Sequence, residues 1–372
     1  MSEELRVQSG YVVALRLFDI AYEIDLRRAE DLWARRTQAA SARSRLAGTP
    51  PKAVSFGVPP LALEFGSMPL DLGGETRTAA VGLRLYDFGI VAIALRLTVR
   101  DLPWSGLSQL VNRTHDAVGP EAAAAVWATQ LAQLRDLLGE ALERPIAVPL
   151  QEDYLFAVVD RFDETVTADE LQQRVDLEPM LSGEQRPLSE GARRDLLRHR
   201  FSYHPDDLVV ITWDRAFIYE PRQETDVADV LEMANAQLLE MRTYDEMLDA
   251  ELPRMHDLVE AARRRTHLLA SRRYAKLARR LYGIVAEVTE LTEQVDNALQ
   301  VTEDVYLARV YAAAMDLFRV PNVSAAVDRK LAIIREAYTA LHSEAAGARA
   351  EIMEAMILVL IAVEIVLSLV RH

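Results

Sequence analysis

A nearly unbroken apolar run, Ile352 to Val370, constrains this chain more than any other stretch. Its dozen Leu, Ile and Val side chains each favour bilayer insertion by roughly 0.3–0.6 kcal/mol, about 5 kcal/mol together. Glu364 near the middle costs on the order of 3 kcal/mol if charged, while Glu354 sits near the entrance and can reach the interface. A helix of this length rises about 28 Å at ~1.5 Å per residue, close to the ~30 Å hydrocarbon core. The alternatives are a buried C-terminal helix of a bundle and an oligomer seam. The expectation is a transmembrane helix over 352–370 that ties a soluble body to a membrane.

Composition bounds that body. A length of 372 residues allows two soluble domains plus a tail, and 50% hydrophobic residues support proper cores. The formal charge of −15 argues against nucleic acid coating the whole surface. The absence of cysteine excludes disulfides, thiolate nucleophiles and Cys-ligated metals, and suits a reducing compartment. The start, Met1-Ser2-Glu3-Glu4, is acidic where a secretory signal is basic, and Arg16 and Asp19 break the first apolar run. The expected arrangement is tail-anchored: single-pass in a bacterial-type inner membrane, with the bulk of the chain cytoplasmic.

Residues 1–222 mix strand and helix signals and read as an α+β or α/β body. Alternation at 11–22, 78–87, 89–99 and 154–162 predicts strands, with Asp87-Phe88-Gly89 as a reversal. Short strands are expected at 207–213 and 215–219. Helices are expected at 23–39, 103–114, 120–142, 169–181 and 188–198, the last opened by Ser189. Four prolines in 48–60 mark a loop. From Asp226 onward strand signals cease. Val227, Leu231, Ala234, Leu238, Met241 and Leu248 form one apolar stripe, and Ile284, Val288, Leu291 and Val295 another. A third, Val327, Leu331, Ile334, Tyr338, Leu341, Ala345, Ala348 and Ile352, runs into the tail. Such spacing belongs to a coiled coil or long antiparallel helices, so residues 223–351 are expected to form a helical stalk, jointed at Pro321 and kinked or jointed at Pro253.

Catalytic motifs are absent: there is no phosphate loop, dinucleotide fingerprint, GxSxG elbow or HExxH, and no cofactor is implied. His199, His204 and Asp206 are the only local cluster of ligand types. Their spacing matches no established metal site, and a helix end followed by a Pro-Asp-Asp turn accounts for them. The densest polar motif carries Glu232, Asn235, Gln237, Glu240, Arg242 and Asp245. Asp245 falls on the apolar stripe with Arg242 one turn earlier, which points to a buried polar network that fixes packing, with a catalytic carboxylate as the rival. The stretch Arg263 to Arg280 carries Arg263, Arg264, Arg265, Arg272, Arg273, Lys276, Arg279 and Arg280 and no acid. Internal ion pairing competes there with lipid-headgroup or RNA phosphate contact.

Three features together resemble one family. They are the run from Phe201 to Pro221 (FSYHPDDLVVITWDRAFIYEP), the helix motif from Leu231 to Asp245 (LEMANAQLLEMRTYD), and an apolar tail with an internal acid. They are similar to the required-for-meiotic-nuclear-division, or YagE-like, family, from about Leu83 to the C-terminus. The resemblance implies a membrane-anchored protein with a soluble α/β region, helices and one C-terminal span. Its mitochondrial members support organellar translation, as scaffolds. It brings no catalytic residues.

The functional expectation is a non-enzymatic, tail-anchored scaffold. It would be homo-oligomeric through its helices, with Glu364 facing another tail, and would hold a protein or ribosome partner. Two rivals come from other classes. One is a membrane-tethered metal-dependent hydrolase or nuclease built on the His199 to Asp207 cluster or the acids of the stalk helix. The other is an RNA- or ribosome-binding tether using the basic stretch.

Overall fold

In the computed structural model the strand expected at 11–22 starts earlier, as β1 (Arg6–Asp19), followed by β2 (Ala21–Ile24). The structure describes residues 4–37, 41–43, 54–55, 58–122, 125–184, 186–222, 226–263, 279, 282–283, 285–286, 300–301 and 305–370. After β2 come α1 (Leu26–Thr37), β3 (Ser41–Arg43), β4 (Val54–Ser55), β5 (Leu61–Asp71), β6 (Thr76–Leu85) and β7 (Ile90–Pro103). Next are α2 (Trp104–Val118), α3 (Ala125–Leu138), β8 (Leu142–Pro145), β9 (Gln151–Phe162), α4 (Ala168–Arg174), α5 (Glu178–Ser182) and α6 (Glu190–Leu196). The described elements close with β10 (Arg200–Phe201), β11 (Leu208–Ile211), β12 (Arg215–Tyr219), α7 (Val227–Arg263), β13 (Gln300–Val301), α8 (Val305–Leu317) and α9 (Val320–Val370).

The chain divides into two compact units, residues 1–240 with 294–321, and residues 241–293 with 322–372. In the first, nine of the described strands form one mixed sheet in the order β10-β11-β12-β9-β1-β7-β6-β5-β3. Neighbours are antiparallel except β12 and β9, which run parallel, with Phe217 opposite Ala157. The centre is β1 between β7 and β9, where Leu15 faces Ala94 on one side and Tyr154 on the other.

One sheet face carries Val12, Ala14, Val81, Leu83, Ile93, Leu95, Leu155 and Ala157. It packs under α1 to α5 through Trp33, Leu107, Val111, Leu134, Leu171 and Met180. Burying each such side chain contributes roughly 1.5–3 kcal/mol, so this layer supplies most of the cohesion. Local chemistry sets the helix starts. Asp25 Oδ1 accepts from the amides of Arg27 and Arg28 at 3.0 Å, and Thr167 and Glu170 close a capping box at α4. Ser189 caps α6 by accepting from the Ala192 amide. The single helix expected over 169–181 is two short ones, because Pro179 opens α5 near its first turn.

The opposite face is covered by the first turns of α7, whose Glu232 reaches Tyr86 and whose Asp229 reaches Arg84. Phe318, just past α8, also lies there, with its ring 5.4 Å from that of Tyr154. Val227, Val230, Leu231, Ala234 and Leu238 are buried on α7, as the apolar stripe requires.

In the second unit, the later part of α7 pairs with α9. Lys330 Nζ bonds Asp245 Oδ1 and Asp249 Oδ1, each at 2.6 Å. Burial opposes the Lys330 charge, yet its two aspartate partners hold its pKa above the usual value. Met241, Tyr244, Leu248, Val327, Leu331 and Ile334 are buried. Pro253 lies inside α7, which continues through it to Arg263.

No helix among the described residues is long and apolar enough to cross a membrane. This corrects the expectation of a C-terminal transmembrane helix over 352–370, and with it the tail-anchored, single-pass, inner-membrane arrangement. The physical reason lies in the thin margin of the insertion balance and in the helix that carries the run. The apolar stretch is the distal part of α9, a helix of 51 residues that begins at Val320 and includes Asp328, Arg329, Lys330, Arg335 and Glu336. Both Glu354 and Glu364 are exposed on it. Glu364 alone costs about 3 kcal/mol of the ~5 kcal/mol contributed by the aliphatic side chains, and Glu354 at the entrance narrows the margin further.

The Asp87-Phe88-Gly89 reversal between β6 and β7 generates a prediction. Gly89 has φ +94°, and a Cβ there would lie 1.8 Å from the Ala21 carbonyl oxygen. Gly89→Ala is expected to destabilise the fold by at least ~2 kcal/mol, read as a lower urea midpoint. An unchanged midpoint would show that the turn relaxes.

Candidate functional site

Period-two alternation along β6 sends Val81, Leu83 and Leu85 into the core and leaves Ala80, Gly82 and Arg84 on the α7 face. Arg84 there meets α7. Its Nη2 bonds Asp229 Oδ1 at 2.7 Å and its Nη1 lies 3.2 Å from Glu232 Oε2. Tyr86 Oη donates to Glu232 Oε1 at 2.8 Å. Asp229 and Glu232 are three residues apart and so share one helix face. Both oxygens of Glu232 are therefore engaged, one by a phenol and one by a guanidinium.

The charges are mutually dependent. Burial works against the Arg84 cation, but Glu232 and Asp229 outweigh it and raise its pKa well above the usual value. Burial, joined by the Glu232 charge, pushes the Tyr86 phenol well up. Burial also raises the Glu232 carboxyl, with Arg84 opposing. Such a network is costly to break and best suited to fixing how a helix seats on a sheet.

Beside this network a cavity of about 640 Å³ opens over β5, β6, β7 and β1. Its floor is made of the small residues Gly66, Ala80, Gly82 and Ala94, with Val13, Leu15 and Phe156 at the inner end. One wall is the α7 start with Ala228, Asp229, Glu232 and Arg84; Tyr11 and Arg96 line it on the β1 and β7 side, and Glu64 lines it from β5. The Arg96 guanidinium lies 3.5 Å from the Tyr11 ring centroid. Burial raises the Tyr11 phenol, an effect that Arg96 opposes.

The structure brings Glu232 alone of the sequence-derived polar motif into this site. Asn235 bonds the Leu231 carbonyl on its own helix at 2.9 Å, and Gln237 accepts from the Tyr311 hydroxyl. Glu240 is buried. Arg242 is exposed, and the cation that holds Asp245 is Lys330. His199, His204 and Asp206 do not form a ligand set. His199 is half-buried and uses its carbonyl to pair with Ile211, and Asp206 lies 3.4 Å from Arg222. The amide of His204 donates to Asp207 at 2.8 Å. Among the described residues no group of three or more His, Asp or Glu side chains is arranged to hold a metal. Glu364 is exposed near the end of α9. Of the basic stretch, Arg263 ends α7 and Arg279 is exposed. Arg264, Arg265, Arg272, Arg273, Lys276 and Arg280 lie outside the described residues.

Sequence reasoning missed Arg84, Tyr86, Asp229, Arg96, Tyr11 and Glu64. The readable signal was in β6, where Ala-x-Gly-x-Arg alternates against Val-x-Leu-x-Leu. A face of small residues ending in a cation belongs neither to a core nor to an ordinary solvated face.

The chain belongs to the family described as "Uncharacterized protein MJ0711, N-terminal domain", whose model matches residues 9–226, more than half of the chain. It is similar to the protein "Uncharacterized protein MJ0711" of Methanocaldococcus jannaschii, 24% identical over 196 residues, or 52% of this chain and 59% of that one. The chain thus matches less than two thirds of that relative's length. No solved structure matches the chain. The family match takes in Tyr11, Glu64, Gly82, Arg84, Tyr86 and Arg96, and stops before Asp229 and Glu232.

Arg84→Met is expected to cost about 3–5 kcal/mol of stability by leaving two partly buried carboxylates without their cation. Tyr86→Phe should cost about 1.5–3 kcal/mol, the range for a hydrogen bond to a charged group. Both are read from urea unfolding. The pH dependence of Glu232 has a definite sign. Its folded pKa is raised, so the folded state binds more protons than the unfolded one between the unfolded value of about 4.3 and the raised one. Its contribution therefore favours the fold below that unfolded pKa and is lost as pH rises through the folded pKa. Glu232→Gln should flatten that part of the stability curve; an unaltered slope would assign it to other groups.

Proposed function

We propose that the protein is a non-enzymatic scaffold that assembles with further copies of itself through α9. The observation that carries this reading is the exposure of Met353, Met356, Ile357, Leu358, Val359, Leu360, Ile361 and Val363, each between 48% and 67% exposed. Six of these are consecutive, and six residues turn through more than a full circle at ~3.6 per turn. A helix that is apolar on all sides is one that other elements surround, and a contiguous patch of this kind marks an interaction site. A single partner covers one stripe, so the reading favours an assembly of three or more helices. The third apolar stripe in the sequence, from Val327 to Ile352, leads into this segment at coiled-coil spacing. The resemblance to the required-for-meiotic-nuclear-division family agrees with a scaffold.

The site on the sheet supports the same reading from another side. Its most buried carboxylate, Glu232, is committed to Tyr86 and Arg84 and so to seating α7. Neither a hydrolase nor an RNA tether gains comparable support. The ligand candidates of the first form no metal-holding group among the described residues, and most of the basic stretch of the second lies outside the described residues.

The test is the mass of the full-length chain in solution by light scattering or sedimentation. The expected result is a trimer or larger species that Leu358→Glu with Ile361→Glu reduces to monomer. Glu364→Leu is expected to change the oligomer size, because the acid would then face a neighbouring helix. A wild-type monomer at micromolar concentration would overturn the proposal.

A further inference from the structure

The cavity over β5, β6 and β7 has more structure than the seating of α7 requires. Its floor lies in a sheet, where larger side chains are the rule, yet Ala80, Gly82 and Ala94 meet there in register. Ala80 stands opposite Arg96, and Gly82 stands opposite Ala94 on one side and Glu64 on the other. Nothing in the backbone demands glycine at 82. Its φ is not positive, and an added Cβ would meet only the Ala94 Cβ, at 4.0 Å. The missing side chains thus leave room above the sheet.

The two ends of that room differ in charge. At the row of Ala80, Arg96 lies over the Tyr11 ring. A guanidinium stacked on a ring keeps its N–H edge for a planar or tetrahedral anion. Four residues along β6, Arg84 is already held by Asp229 and Glu232, so that end presents carboxylates, which accept hydrogen bonds. Glu64 stands beside Gly82 with a further carboxylate. At ~3.4 Å per strand residue the two ends are about 13 Å apart at the backbone. Between them the surface is thin, flat and apolar.

We infer that this cavity binds a small molecule with an anionic group at one end, a flat body, and hydrogen-bond donors at the other. A nucleoside monophosphate has that order of groups. The phosphate sits on Arg96, the base lies over Gly82 and Ala94, and an exocyclic amine donates to Asp229 or Glu64. The volume of about 640 Å³ is within the range of small-molecule sites. This inference goes beyond the scaffold reading and does not depend on it, since every residue involved lies in the first unit.

Calorimetric titration of the full-length protein tests it, with adenosine, guanosine, cytidine and uridine monophosphates and with inorganic phosphate as probes. The expected result is binding of at least one of the three amine-bearing nucleotides, with uridine monophosphate and inorganic phosphate each weaker by tenfold or more. Arg96→Ala should weaken binding at least tenfold and reduce its salt dependence. Gly82→Val should abolish it while leaving the circular dichroism and thermal midpoint of the fold in place. Silence from all four nucleotides at about 1 mM, the weak end of specific recognition, overturns the inference. So does equal binding by inorganic phosphate, equal binding by uridine monophosphate, or affinity unchanged in both variants. Should Gly82→Val misfold, Arg96→Ala at an exposed position keeps the test decisive.

Discussion

A guanidinium held between two carboxylates determines where α7 meets the sheet, and much of the first unit follows from that contact. Asp229 and Glu232 can both reach Arg84 only in one register of the helix. Sliding α7 by a turn, about 5.4 Å, would strand the cation against the sheet and place both acids beyond hydrogen-bonding distance. Apolar packing alone is tolerant of such slips, because one aliphatic stripe looks much like the next. The charges remove that tolerance, and the Tyr86 hydroxyl adds a direction to it.

The same contact explains why the sheet is unevenly covered. One face is filled from β12 to β6 by Leu, Ile, Val and aromatic side chains under α1 to α5. On the other, Phe318 packs on Tyr154 of β9 and the α7 start is tied to Arg84 of β6, beside which the small residues of β6 and β7 line a recess. The charged network therefore stands at the margin of that recess.

How much of this could be read from the chain depended on how local its cause was. The Asp87-Phe88-Gly89 reversal, the strands around it and the Ser189 cap are set within a few residues, and alternation or cap chemistry reveals them. The edge of the sheet was harder. β5, with Pro69 and Gly66 in it and a bulge between Glu64 and Ser67, alternates too poorly to stand out from the proline-rich loop before it. The site was partly legible. Glu232 was singled out for falling in a dense polar motif, but its partners are Arg84 on β6 and Tyr86 just past that strand, the latter 146 residues away. No pattern within the helix names them. Asp245 shows the same limit, since the nearest cation in sequence, Arg242, is not the one that holds it; Lys330 is 85 residues distant. The apolar tail misled for a different reason. Hydropathy counts side chains one at a time, whereas the fate of Ile352 to Val370 depends on the acids beside them and on the 51-residue helix they complete.

The stretch shared with the MJ0711 family ends at residue 226, one position before α7 begins. Arg84 and Tyr86 fall inside that limit, whereas the acids that neutralise Arg84 fall outside it. The matched segment thus carries the cation and the phenol without the acids that engage them. Its charge balance is finished by residues just past its border, so the first two turns of α7 form one electrostatic unit with the sheet.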